Sequence, residues 1–148
     1  FKDHNFSCSI KMRLGLNKYE KEKKIYLNLI KQVDADFFIV HPRHAKEDST
    51  TTPDESVYTE CVDTGKNIIA NGDIGSIEKV KELKKIGIKG VMIGRGAMRN
   101  PSIFSVLKGN KATPSDKLKK EYLELMKIYP QKSKQYERKV LRYLGRKY

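Results

Sequence analysis

The chain has 148 residues and a formal net charge of +13, with 38% hydrophobic and 33% charged residues. This length is enough for one domain with a buried core, and no stretch approaches the roughly 20 apolar residues of a membrane-spanning helix. No signal-peptide pattern opens the chain, and Cys8 and Cys61 lack metal-ligand spacing. We therefore expect a cytoplasmic protein with reduced thiols, no membrane segment and no metal site.

The positive charge is concentrated towards the C-terminus. Residues 102–148 carry 13 Lys/Arg and 4 Asp/Glu, whereas residues 1–101 carry 18 and 14. A basic tail on a nearly balanced body suggests a polyanionic partner, most simply nucleic acid. A solvated lysine-rich helix face would account for the same charge, so both interpretations stay open.

The first half of the chain alternates strand and helix patterns. Residues 7–14 alternate as a strand, with Lys11 on the face opposite Ile10 and Met12. Asn17 is a predicted N-cap, and apolar residues at helical spacing follow it as far as residue 33.

A second strand and helix come next. Residues 37–40 predict a short strand that ends at His41-Pro42-Arg43, and a polar loop follows over 46–52. Thr52-Pro53 reads as an N-cap and a first-turn proline, which predicts a helix that ends at Gly65.

The pattern then repeats twice more before the basic tail. Residues 67–70 and 90–93 predict strands, and between them Ser76 caps a helix closed by Gly87. Four strands alternating with helices are typical of an α/β fold with parallel strands. Beyond residue 109 two further helices are predicted, and we expect Tyr136 and Tyr143 to pack in a core.

Two of the predicted strands end in glycine turns that lead into helices: Asn71-Gly72-Asp73 and Gly94-Arg95-Gly96. Free backbone N–H groups at such turns, with a helix dipole behind them, form a natural phosphate site. In (β/α)₈ barrels the loops after strands 7 and 8 often build such a site together. Ordinary β–α turns also favour Gly, Asn and Asp, but two in tandem favour phosphate binding.

The order of motifs resembles that of the tRNA-dihydrouridine synthases over about residues 7–104. The motifs are Ser-Ile-Lys-Met-Arg-Leu-Gly (9–15), Val-His-Pro-Arg (40–43), Ile-Ala-Asn-Gly-Asp-Ile (69–74), Met-Ile-Gly-Arg-Gly-Ala (92–97) and Asn-Pro-Ser-Ile-Phe (100–104). The resemblance implies the C-terminal half, strands 5–8, of an FMN-binding (β/α)₈ TIM barrel over residues 1–108. A basic, short helical segment that binds tRNA would then occupy residues 109–148.

The resemblance also implies a reaction. FMN reduced by NADPH passes hydride to the C5–C6 bond of a tRNA uridine, and a cysteine in an Asn-x-Gly-Cys-Pro-like loop protonates the other carbon. This chain has no such loop, since Cys8 precedes the Lys-x-Arg strand and Cys61 lies on a predicted helix. We expect the proton-donor cysteine upstream of Phe1, no catalytic residue within the chain, and no activity from the chain alone.

Site residues follow from the same resemblance. Lys11 would contact the isoalloxazine ring, His41 the flavin or the bound base, and Arg43 the ribityl-phosphate region or a tRNA phosphate. The two turns would hold the phosphate through Asn71, Gly72, Gly94 and Arg95, with Asp73 capping its turn or orienting a neighbouring donor. The residues expected to bind RNA phosphates are Lys132, Lys134, Arg138, Lys139, Arg142 and Arg146.

Two other functions remain open from the sequence. One is a different FMN-dependent TIM-barrel oxidoreductase that acts on a small molecule. The other is a noncatalytic RNA-binding half-barrel. In either case a half-barrel leaves two strand edges unpaired, so we expect self-association if it is expressed alone.

Overall fold

A computed structural model describes residues 6–130 and 133–145 of the chain. The strands are β1 Ser9–Arg13, β2 Phe37–His41, β3 Ile68–Asn71 and β4 Gly90–Met92. The helices are α1 Lys18–Glu22, α2 Ile25–Gln32, α3 Val57–Val62, α4 Ile77–Lys85, α5 Arg95–Arg99, α6 Ile103–Leu107, α7 Ser115–Ile128 and α8 Lys134–Tyr143. These elements form two compact units, residues 1–74 with 78–92 and residues 75–77 with 93–148.

The first unit contains a single four-stranded parallel sheet in the order β1-β2-β3-β4. This arrangement confirms the predicted α/β class and the parallel strands. The register pairs Arg13 with His41 and Asn71 with Met92, so the carboxyl ends of neighbouring strands meet at one edge of the sheet.

The core lies between one face of this sheet and helices α2, α3 and α4. Phe38, Val40, Ile68 and Ala70 are buried from the strands, and Ile10 and Met12 pack against the same cluster. The helices contribute Tyr26, Ile30, Val57, Tyr58, Cys61 and Leu83. Because side chains alternate along a strand, the opposite face carries Ser9, Lys11 and Arg13. The sequence predicted this face for Lys11.

Two local predictions for the helices differ from the structure. The helix after Asn17 is interrupted, because Lys24 adopts a left-handed conformation (φ 53°) between α1 and α2. Asn17 itself is the predicted N-cap, accepting from the Glu20 amide at 3.0 Å. The next helix begins at Val57, not after Thr52. Asp54 lies before this helix, where its carboxylate pairs with Lys21 at 3.0 Å and its amide donates to the Pro42 carbonyl at 2.9 Å.

The second unit is helical. Asn100 is extended before Pro101 and separates α5 from α6, as a residue preceding proline favours. The Gly145 amide donates to the Arg99 carbonyl at 2.8 Å, which fastens the end of α8 to α5. In the part of the chain that the structure describes, no helix is both long and apolar enough to cross a bilayer.

Candidate functional site

Three basic or titratable side chains share the carboxyl end of the sheet in the first unit. Lys11 and Arg13 project from the face of β1 opposite the core, and Arg13 pairs in register with His41 on β2. The Lys11 ammonium makes no hydrogen bond or ion pair with any described residue. It is therefore available to an external anion or hydrogen-bond acceptor.

His41 is neutral at physiological pH. Burial and the charges of Arg13, Arg43 and Lys11 lower its pKa from 6.5 to about 4, while Asp73 opposes them. Its Nδ1 atom is buried and has no hydrogen-bond partner among the described residues. A buried polar atom without a partner is costly, so a ligand that engages this nitrogen would recover that cost.

Arg43, the first basic residue after β2, is 2% exposed and already engaged within the protein. Its Nε donates to the Thr51 carbonyl at 2.7 Å, and its Nη2 donates to Asp73 Oδ2 at 2.6 Å. Asp73 follows β3 and adopts a left-handed conformation (φ 45°). The Asp73 carboxylate thus holds the Arg43 guanidinium in place.

The turn after β3 is held in place by its neighbours. Asn71 Nδ2 donates to the Met92 carbonyl at 2.9 Å, and the Tyr58 hydroxyl donates to the Asn71 carbonyl at 3.1 Å. Gly72 has φ +135°, and a Cβ there would lie 3.1 Å from Pro42 Cδ. Glycine is therefore required both by conformation and by the close approach of Pro42.

The second glycine turn belongs to the other unit. Gly94 precedes α5, and its carbonyl accepts from the amides of Ala97 and Met98 at 3.0 and 3.2 Å. A Cβ at Gly94 would meet no atom within 4 Å, so the space beside its backbone is open. Arg95 is exposed at the first position of the helix.

The basic residues of α8 lie on its exposed surface. Lys134, Arg138, Lys139 and Arg142 are all exposed, whereas Lys132 and Arg146 lie outside the described residues. The prediction that Tyr136 and Tyr143 pack in a core is wrong, since they are 63% and 40% exposed. The Lys139 ammonium lies 5.9 Å from the centre of the Tyr136 ring. The buried side chain next to these residues is Leu144, which directly follows α8.

Neither cysteine forms a disulfide, and neither lies at the carboxyl end of the sheet. Cys61 is fully buried in α3, and burial with the neighbouring Glu60 raises the pKa of its thiol to about 12. A thiol so protonated and enclosed is unreactive. The described residues also contain no group of three or more His, Cys, Asp or Glu side chains arranged to hold a metal ion.

Comparison with known proteins decides the family. A family model described as dihydrouridine synthase (Dus) matches residues 2–147. The chain belongs to the dihydrouridine synthase family. Its relatives include a probable tRNA-dihydrouridine synthase of Helicobacter pylori, 34% identical over 69% of this chain and 31% of the relative.

Other dihydrouridine synthases are similar over longer stretches. A probable tRNA-dihydrouridine synthase of Staphylococcus aureus is 30% identical over 90% of this chain and 41% of the relative. A human protein named tRNA-dihydrouridine(20a/20b) synthase [NAD(P)+]-like is 31% identical over 74% of this chain and 33% of the relative. The chain thus spans between about a third and two fifths of the length of these relatives.

Several residues that build the site were not recognised from the sequence. Arg13 donates from Nη1 to the carbonyls of His44 and Glu47, at 2.9 and 3.0 Å. Pro42 packs on Gly72, and the Tyr58 hydroxyl donates to the Asn71 carbonyl at the β3 turn. The sequence could have indicated only that Arg13 lies on the same face of β1 as Lys11, two residues earlier. The contacts themselves join residues far apart in the chain.

Proposed function

We propose that this chain is the C-terminal half of the (β/α)₈ barrel of a tRNA-dihydrouridine synthase, followed by part of its helical domain. The protein would reduce uridine to dihydrouridine in tRNA, with FMN as cofactor and NADPH as reductant. Family membership, relatives named for this activity and four consecutive parallel strands support the proposal.

The observation that carries the proposal is the cationic cluster beside the unpartnered His41 nitrogen. Lys11, Arg13 and Arg43 surround a neutral imidazole whose Nδ1 is buried without a partner among the described residues. This set fits reduced flavin, whose N1–C2=O edge carries negative charge and offers hydrogen-bond acceptors. When bound, FMN supplies hydride transfer from NADPH to the C5–C6 bond of uridine.

Each residue then has a physical role. Lys11 would place its ammonium against the negative edge of the ring, and His41 would hydrogen-bond the flavin or the base from a neutral ring. Asn71 and Gly72 would bind phosphate through their backbone N–H groups. For the turn of the second unit, the same role is proposed for the Gly94 amide and the Arg95 guanidinium. Arg43 and Asp73 would hold the β2–α3 loop and the β3 turn in place through their hydrogen bond. The cations of α8 would contact tRNA phosphates, which gives affinity without sequence information.

Protonation of the uracil needs an acid that this chain does not supply. Cys61 is enclosed, and its raised pKa makes its thiol a weak acid. The resemblance assigns the acid to a cysteine loop that is absent here. We therefore expect cofactor and tRNA contacts from this chain, but no turnover from the chain by itself.

Lys11→Ala tests the proposal, with Lys31→Ala as the matched control. Lys31 is an exposed lysine in the last turn of α2 with no described contact. Both variants are made in the protein as its gene encodes it, and flavin content and dihydrouridine formation on tRNA are measured. Lys11→Ala should weaken flavin binding by about tenfold or more, because it removes a charge-assisted contact. Wild-type flavin binding and turnover in Lys11→Ala would refute the assignment.

A further inference from the structure

The loop between β2 and α3, residues 42–56, is polar and about half exposed, and two arginines hold its backbone. Arg13 from β1 places Nη1 within 2.9, 3.5 and 3.0 Å of the carbonyls of His44, Ala45 and Glu47. Arg43 places Nε 2.7 Å from the Thr51 carbonyl. The exposed residues 48–50 thus lie between two guanidinium anchors.

Arg43 also contacts the turn that follows the next strand, β3. Arg43 Nη2 donates to Asp73 Oδ2 at 2.6 Å, and the pair is almost fully enclosed on the arginine side. Asp73 belongs to the glycine turn after β3, where Gly72 also packs on Pro42 at the start of the loop. A guanidinium can make several directional hydrogen bonds from one plane, so one arginine can hold several groups at once.

We propose that Arg13 and Arg43 are positioning residues that lock the β1 end, the β2–α3 loop and the β3 turn into one preorganised unit. Arg13 joins β1 to the loop, and Arg43 joins the loop to the turn. For Arg43 this role takes the place of the direct cofactor contact expected from the sequence. The locked unit holds His41 and Gly72 at fixed positions before any ligand arrives.

The need for such anchors follows from the composition of the loop. A polar loop with few buried apolar side chains opens locally at low free-energy cost. A site that binds an anion has a higher affinity when its groups are already ordered, because binding then causes a smaller loss of conformational entropy. The link to cofactor binding rests on the proposed function, whereas the locking of the loop does not.

Amide hydrogen exchange in the protein as its gene encodes it tests the lock directly. The reporters are the amides of Ala45 and Glu47, which donate to Gly15 and His44 carbonyls at 2.8 and 3.1 Å. Arg13→Gln should speed their exchange by about tenfold or more, since it removes hydrogen bonds from a charged donor. Arg13→Lys should restore part of the protection, and Lys31→Gln should match the wild type. Wild-type exchange in Arg13→Gln would overturn the proposal.

Asp73→Asn tests whether the three segments act as one unit. Asp73 lies in a different segment from Ala45 and Glu47, yet loosening its bond to Arg43 should also speed the exchange of their amides. The double variant Arg13→Gln/Asp73→Asn should show less than the sum of the two effects. Unchanged exchange in Asp73→Asn, or strict additivity, would overturn the single unit. If Arg13→Gln does not fold, Arg13→Lys and Asp73→Asn decide the same question.

Flavin affinity of the protein as its gene encodes it tests the positioning role. Arg13→Gln should weaken FMN binding by about tenfold, with partial rescue by Arg13→Lys and no change in Lys31→Gln. Faster exchange with unchanged FMN affinity would reduce the lock to a purely structural feature and overturn the positioning role. If the wild-type protein binds no FMN, the proposed function fails, and the exchange data still decide the lock.

Discussion

The neutral state of His41 follows from the charged groups that surround it. Lys11 and Arg13 from β1 and Arg43 from the following loop disfavour the imidazolium, and only Asp73 favours it. Burial acts in the same direction as the three cations and is the largest cause of the lowered pKa. A neutral imidazole in a cationic setting can bind an anionic ligand by hydrogen bonding without adding to the charge that must be desolvated.

The low pKa of His41 predicts a loss of stability in mild acid. Between its ordinary pKa of 6.5 and its folded pKa of about 4, the unfolded chain binds a proton at this residue that the folded chain does not. The free energy of unfolding should therefore fall as the pH drops through this window, and His41 should contribute no pH dependence above it. Urea unfolding at neutral pH and at about pH 5 measures the effect. His41→Gln should lose this component, and an unchanged pH dependence in that variant would contradict the account.

Gly72 offers a second test at the scale of one residue. Gly72→Ala places a Cβ 3.1 Å from Pro42 Cδ at φ +135°, so it should lower the free energy of unfolding by about 1–3 kcal/mol. Gly65→Ala is the matched control, because Gly65 also has a positive φ (+77°) but open space around its Cβ. Denaturant unfolding should show a larger loss for Gly72→Ala. Equal losses would mean that the packing on Pro42 adds nothing.

Among the secondary-structure elements, α8 combines exposed cations with an exposed aromatic ring. Four Lys/Arg and one Glu lie within Lys134–Tyr143, and Tyr136 stands beside Lys139 on the outer surface. Phosphate contacts release counterions, so their number sets how steeply RNA affinity falls with salt.

Reversing two charges of α8 tests its proposed role in tRNA binding. Arg138→Glu/Arg142→Glu should weaken tRNA binding and reduce the slope of log affinity against log salt by about 1–2, or roughly 0.7–0.9 for each phosphate that the helix no longer neutralises. Lys31→Glu/Lys81→Glu, at exposed positions on α2 and α4 of the other unit, controls for the same change in net charge. Filter binding or anisotropy across a salt series provides the measurement. An unchanged affinity and slope would remove α8 from the RNA interface.

The elements and the site were predictable from the sequence to different extents. Period-two alternation around Lys11 and the glycine turns after residues 70 and 93 located the strands, because those signals are local. The break at Lys24 has no Gly or Pro to mark it, and the late start at Val57 follows an N-cap and proline pattern at Thr52-Pro53 that did not start a helix. The hydrogen bond between Arg43 and Asp73 joins residues that are 30 positions apart in the sequence, so no local pattern predicts it.

At the scale of the whole molecule, the sheet has two edges. β1 and β4 each pair with one neighbour among the described strands, and β1 carries Lys11 and Arg13 on the face away from the core. Unpaired edges of parallel sheets are templates for association with other chains.

We therefore expect this chain, expressed by itself, to self-associate. Sedimentation velocity over a range of concentrations should show a sedimentation coefficient that rises with concentration, because the free edges and the exposed face find partners. A concentration-independent monomer with a sharp, cooperative melting transition would contradict this expectation and weaken the half-barrel proposal.

The most direct test of the central claim is the dihydrouridine content of tRNA from cells that lack the gene for this protein. Mass spectrometry of purified tRNA should show that dihydrouridine is lost from at least one position and returns when the wild-type gene is restored. A Lys11→Ala gene should restore less than a Lys31→Ala gene. If dihydrouridine content is the same with and without the gene, the proposed activity is wrong.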